Sequence, residues 1–372
     1  MLDEKLVELK EIKRTDEIDK EIESEFQIVG DDDLAGEDAG EGLDSKKYYQ
    51  FACKENTNKY LTMIFSWMLD TELEMREAAG MKFGIISAVI FGIIGALKVE
   101  YFYKISFMNY LFLQGLICLG ILYYVCRNFD IYPFLENEGL NDRLKLGAAC
   151  NFIGVVIYIA SWNYWPRQYS HFLLCCIPLI ENLREGLRTQ TFRHMDFILL
   201  FINLIGFFIL LAIPDRDVNF TYTGLILALV GVALFWFAFE QLKKLRNENV
   251  VAIGLINTLI LSIFLPGFFG IVDAQPPSFM ELLMIILLGI PTAVGLILMI
   301  RCVQITKPSH SLLAASVSLA IVSWVRSVNL EGLLIQGILG VIMSVGCAVI
   351  ILYQQQDKMA IMSYRSKGSI AN

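Results

Sequence analysis

The chain has 372 residues, 56% of them hydrophobic and only 18% charged, with a mean hydropathy of +0.56. A soluble domain of this length needs a charged coat that this composition does not supply, so lipid is expected to cover most of it. The net charge of −8 sits at the start: residues 1–47 hold 17 Asp and Glu against 7 Lys and Arg, and the remainder is slightly basic.

Residues 1–47 mix Glu, Lys and Ile and then run into DDDLAGEDAGEG. That stretch is too charged and Gly-rich to bury a core, and is expected to be a disordered acidic cytoplasmic tail. Its acidity speaks against a cleaved signal peptide and against a mitochondrial transit peptide. Residues 48–80 form a lead-in, with Tyr60, Leu61, Ile64, Phe65 and Met68 on one helical face. That apolar run is too short to cross about 30 Å of hydrocarbon at 1.5 Å per residue, so it is placed in the interface.

From Lys82 onward the apolar runs reach spanning length, at roughly 82–98, 106–126, 144–164, 170–189, 196–213, 222–242, 251–272, 279–301, 309–326 and 332–353. Continuous helix satisfies the backbone in lipid without a sheet edge. The expectation is therefore an all-α polytopic membrane protein of ten transmembrane helices. The eight cysteines lie singly or adjacent, mostly inside these runs, and read as packing residues rather than disulfides or metal ligands.

Basic residues set the orientation. Arg127, Arg143, Lys145, Arg184, Arg188, Arg193, Lys243, Lys244, Arg246, Arg301 and Lys307 cluster in alternate loops, joined by Lys358, Arg365 and Lys367 of the C-terminal tail. The opposite loops hold Lys98, Lys104, Arg167, Arg216 and Arg326. This bias places both termini in the cytoplasm, which requires an even number of spans.

The halves echo each other. Ser170-His171-Phe172-Leu173-Leu174 opens the fourth span and Ser309-His310-Ser311-Leu312-Leu313 the ninth, and Gly206 and Gly346 keep nearly the same offset. With an odd number of spans per half, the second half runs opposite to the first. That is the inverted-repeat arrangement of secondary transporters, with a binding site near the midplane. The boundaries are 81–215 for the first five-helix repeat, 216–356 for the second, and 357–372 for a cytoplasmic C-terminal tail.

Three stretches carry a resemblance to a known family: SAVIFGIIGALKVE in the first span, VIYIASWNYWPRQYSHFLLCCIPLIENL across the third and fourth, and ILMIRCVQITKPSHSLLAAS across the eighth and ninth. They resemble the drug/metabolite transporter superfamily, in particular its EamA-like branch and the related solute carrier 35-like proteins, over about residues 82–353. The resemblance implies transport of a small polar or anionic metabolite by alternating access, without covalent chemistry or cofactor. The chain departs from the pattern where many relatives carry an Arg early in the second helix and this chain has Gln114, and where the fourth helix reads IENLREGL. The alternative is a non-transporting scaffold or regulatory subunit of the same fold, its cavity plugged by Trp162, Trp165 or Trp324 and its acidic tail on a protein partner.

No HExxH, P-loop, GxSxG or CxxC pattern occurs, so no enzyme is expected. Nucleic acid is not expected as a partner either; the bilayer and a small-molecule substrate are, and a homodimer stays open. Arg301, late in the eighth span, matches the family's basic position and is the first candidate substrate ligand. Its alternative is to snorkel to the headgroups. Glu181 and Asn182, with Arg184 and Glu185 on the same helix, come next; Glu181 could take a proton or cation, or simply pair with Arg184. A third possibility is that the fourth helix ends early and IENLREGLRTQTFR is a loop. Gln114, Tyr158, Asn163, Asn257 and Gln304 complete the candidate cavity. Each has helix–helix hydrogen bonding as its alternative role. His171 and His310, at paired helix starts, are either pH-sensitive or interfacial.

Overall fold

The computed structural model describes residues 76–101, 107–129, 131, 138–165, 167–189, 194–211, 221–246, 248–264, 278–331 and 334–369. The expected tail at 1–47 and the lead-in up to 75 lie outside the described residues. Those described form helices α1 (Arg76–Tyr101), α2 (Phe107–Asn128), α3 (Glu138–Ser161), α4 (Arg167–Thr189), α5 (His194–Leu211), α6 (Tyr222–Lys244), α7 (Val250–Thr258), α8 (Phe279–Ile305), α9 (Pro308–Glu331) and α10 (Leu334–Ser369). Among the described residues there is no strand.

Seven of these helices (α1, α2, α3, α6, α8, α9 and α10) are long and apolar enough to cross a membrane. They turn large apolar side chains outward, such as Ile226, Leu229, Val230 and Phe237 on α6 and Leu283, Ile286, Leu287 and Ile290 on α8. A soluble protein does not carry such apolar area uncovered, whereas a multi-pass membrane protein faces lipid with it. α4 has the length but carries Glu181, Arg184, Glu185 and Arg188 in its second half. α5 and α7 are apolar but shorter.

Local sequence accounts for several helix starts. Thr221 caps α6 by accepting from the Gly224 N–H at 3.3 Å, and Asn249 caps α7 by accepting from the Val251 N–H at 2.9 Å. α8 opens on a capping box: the Glu281 N–H donates to Ser278 Oγ and the Ser278 N–H to Glu281 Oε2, at 3.3 and 2.7 Å.

Two segments depart from the sequence reading. The seventh helix is regular only to Thr258 and continues as a π-helical turn over Leu259–Phe264. Gly115 of α2 meets this turn so closely that a Cβ there would lie 2.1 Å from Ser262 Cβ. The tenth helix does not stop near 353 but runs to Ser369. No Pro interrupts QQQDKMAIMSYRSK, and most of these residues favour a helix, so it continues past its apolar part.

The described residues fall into two contact units: residues 187–189 belong to the first, and all the rest form the second. Within that second unit the backbones of α3 and α6 lie side by side, as do α1 with α8 and α9, α5 with α10, and α2 with α7 and its π turn. Small residues permit these approaches. A Cβ on Gly340 would lie 2.8 Å from the Gly206 carbonyl, and one on Gly154 3.2 Å from the Gly231 carbonyl. The main core gathers Leu122, Val125, Ile253, Ile256, Ile297 and Ile300 from α2, α7 and α8. A second joins Met81, Leu200, Leu313, Val317 and Ile351 from α1, α5, α9 and α10.

Candidate functional site

Among the described residues, α4 differs from the other helices in having no backbone packed closely along it. Pro178 lies inside it, where a ring replaces one N–H of the helical ladder. Long side chains bridge the space between α4 and its neighbours instead, and the richest bridge is ionic. Glu181 is 2% exposed, and its carboxylate accepts from Arg184 Nη2 at 2.7 Å, from Arg184 Nε at 3.1 Å and from Trp236 Nε1 of α6 at 2.8 Å. Arg184 also pairs with Glu240 of α6, and its guanidinium lies 5.1 Å from the centre of the Trp236 ring. One turn of the helix further, Glu185 meets Lys307 of the α8–α9 turn at 3.9 Å.

A buried carboxylate is tolerated only when paired and hydrogen-bonded, and Glu181 is both. Its pairing with Arg184 is one of the alternatives left open by the sequence, and α4 continues helically to Thr189 rather than ending early. The cluster of Glu181, Glu240 and Arg184 carries one more carboxylate than cation. Arg184 is half-exposed, so an incoming anion could compete with Glu240 for it. Asn182, beside Glu181, is 8% exposed.

Arg301 and Gln304 form a different group. Arg301 Nη1 donates to Gln304 Oε1 at 3.3 Å, and Gln304 Nε2 donates to the carbonyls of Leu245 and Glu248 at 2.8 and 3.0 Å. Lys243 donates in return to the carbonyls of Gln304 and Thr306. These bonds tie the α6–α7 turn to the end of α8. The Gln304 amide is thereby committed to loop backbone.

The remaining candidates are dispersed. Tyr158 of α3 hydrogen-bonds His171 Nδ1 of α4 at 2.6 Å, inside an aromatic cluster with Trp162 and Phe235 whose ring centres are 5.6–5.8 Å apart. Trp162 therefore packs against α4 and α3, while Trp165 stacks edge-on with Tyr169. Gln114 of α2 donates to Thr292 of α8, which itself donates to the Leu288 carbonyl. Asn163 is exposed in the α3–α4 turn. Asn257 lines a small cavity between α3, α6 and α7. His310 does not repeat the contact of His171: it meets Asp196 of α5 at 3.3 Å, buried.

Trp236, Glu240 and Asp196 were not singled out by sequence reasoning, and Lys307 was named there as a loop cation alone. Trp236 and Glu240 are one turn apart on α6, a spacing that aims both at one neighbour. That spacing was the available signal, though it does not name α4 as the neighbour.

No protein-family model matches the chain. No curated protein matches it either. A solved structure described only as a crystal structure of a protein is similar with a TM-score of 0.62, over 76% of this chain and 99% of that one, at 13% sequence identity. At that identity the likeness speaks for the fold alone.

Proposed function

We propose that the chain is a ten-span transporter of a small polar or anionic metabolite, working by alternating access between two inverted five-helix repeats. The observation that carries this reading is a packing pattern that recurs with a shift of five helices. α3 lies along α6, and α8 along α1, which is the same pair moved into the other half. α5 with α10 and α2 with α7 map onto themselves under the same shift. The Ser-His echo at the first turns of α4 and α9 follows it too. Halves related in this way, with five spans each, face opposite sides of the bilayer.

The correspondence breaks most plainly at α4, and there the functional argument begins. The backbone of α9 lies close along α1 and α10, whereas its counterpart α4 reaches α6 and α5 through side chains. In a carrier with inverted repeats the two halves exchange conformations, so the opposite state closes α4 on α6 and frees α9 from α1. The seam between α4 and α6 holds Glu181, Arg184, Trp236 and Glu240, and these are the groups a substrate meets when it opens. A carboxylate or phosphate replaces Glu240 on Arg184, while Glu181 stays hydrogen-bonded to Trp236.

The test is an unbiased uptake screen. The purified full chain in liposomes is exposed to a polar metabolite extract, and the liposome contents are read by mass spectrometry. At least one polar or anionic metabolite should accumulate over empty liposomes, and should fail to do so with Arg184→Gln. Absence of any accumulation by the unmodified chain rejects transport and favours a scaffold role.

A further inference from the structure

A cavity of about 50 Å³ lies between the first half of α3, the last turns of α6, and α7. Much of its wall is apolar, with Leu144, Ala148, Ala238, Phe239 and Leu242. Four polar side chains interrupt that wall: Arg143 and Asn151 from α3, Gln241 from α6 and Asn257 from α7. Gln241 is 6% exposed, yet among the described residues its carboxamide has no hydrogen-bond partner. Nor, among the described residues, do Arg143, Asn151 or Asn257 have one. Some other polar side chains at helix contacts are satisfied by protein: Gln114 by Thr292, Gln304 by loop carbonyls, Ser344 by Asn203. Gln241 is buried and Asn151 and Asn257 are half-buried; amides in such places are normally paired, so three of them around one cavity mark a place for an occupant.

Geometry and charge define that occupant. Arg143, Gly147 and Asn151 are successive turns of one face of α3, and α6 comes close at Gly147, with a virtual Cβ 3.1 Å from Gln241 Cβ. Gln241 therefore packs over Gly147, between Arg143 on one side and Asn151 on the other. No carboxylate lines the cavity, and the adjacent Asp142 is bonded to Lys145 at 3.3 Å. The site therefore offers one positive charge and three amide donors from three different helices. A carboxylate presents two oxygens in one plane; a tetrahedral oxyanion presents oxygens in the several directions these donors occupy.

We infer that the α3–α6–α7 cavity binds a phosphate group, with Arg143 holding its charge and Asn151, Gln241 and Asn257 donating to its oxygens. The group belongs either to a free phosphate compound or to a phospholipid headgroup reaching in from the bilayer. The site is separate from the α4 seam, and the inference holds whether or not the chain transports.

Thermal unfolding of the purified full chain tests it, with sodium phosphate titrated against sodium chloride at matched ionic strength, and in parallel in nanodiscs of phosphatidylcholine with and without phosphatidic acid. Saturable stabilisation by phosphate, with half-saturation moved about tenfold or more by Arg143→Gln and also weakened by Gln241→Leu, supports the site and assigns a free compound. Stabilisation by phosphatidic acid alone, lost in the same two variants, supports it and assigns a headgroup. Arg143 is exposed and Gln241→Leu keeps the volume, so both variants should fold. If neither ligand stabilises the unmodified chain, or all three proteins respond alike, the site does not exist.

Discussion

The α4 seam makes an unequal prediction for its two central residues. Glu181 is buried, whereas the Arg184 side chain is 49% exposed and holds Glu240 as a second partner. Glu181→Gln therefore strands no charge. Arg184 keeps Glu240 and water, the new amide still accepts from Trp236, and the loss is that of charge-assisted hydrogen bonds, about 1.5–3 kcal/mol before discounting for the exposed guanidinium. Arg184→Met leaves the Glu181 carboxylate buried with only the Trp236 N–H in its place. Breaking a buried pair in that direction costs about 3–5 kcal/mol. In the double variant Glu181→Gln/Arg184→Met no buried charge remains, so much of the loss should return. Differential scanning fluorimetry in one detergent reads the order: Arg184→Met lowest, the double variant above it, Glu181→Gln nearest the unmodified chain. A double variant as unstable as Arg184→Met, or a Glu181→Gln that is the worst of the three, refutes the assignment of Glu181 as the buried, dependent partner.

Other expectations follow from close contacts and ties. Gly340→Ala should cost about 1–3 kcal/mol by overpacking, since its Cβ would meet the Gly206 carbonyl at 2.8 Å; an unchanged melting temperature would contradict the α5–α10 crossing. Gln304→Leu leaves the Leu245 and Glu248 carbonyls without their donor, and should speed protease cleavage in the α6–α7 turn while leaving the rest of the chain resistant. Asp196→Asn removes the acidic partner of the buried His310 and should lower the melting temperature more than Asp142→Asn, whose exposed pair with Lys145 contributes little. Equal effects of those two would deny that the buried pair is structural.

The helical class was legible because spanning length and continuous apolar composition are properties of single segments. The end of α10 and the irregular end of α7 were not. The residues after Gln354 lack the apolar character used to end a span, yet helix formation does not need it. The run from Val251 to Phe264 reads as a largely apolar span although its hydrogen bonding changes at Leu259. Glu181 was legible as a charge inside an apolar run, and its pairing with Arg184 follows from helical spacing. Trp236 was not, since it is 55 residues away and only the placement of α4 opposite α6 brings it to Glu181. For Arg301 and Gln304 the sequence suggested a cavity, but the carbonyls that Gln304 ties down belong to a distant turn with no local signature. Asn151 and Gln241 show the reverse case: each is an ordinary amide in sequence, and only the shared cavity distinguishes them.

Everything proposed for α4 depends on the two halves being inverted, and side-specific labelling tests that most directly. On a chain whose eight cysteines have been replaced, single cysteines are introduced at Asn163 in the α3–α4 turn and, one at a time, at Lys307 in the corresponding α8–α9 turn and at Arg246 in the α6–α7 turn. A membrane-impermeant maleimide applied to sealed vesicles of uniform orientation should label Asn163→Cys from one side. It should label Lys307→Cys and Arg246→Cys only from the other. Labelling of Asn163→Cys and Lys307→Cys from the same side would contradict the inverted repeat, and with it the exchange of conformations between α4 and α9.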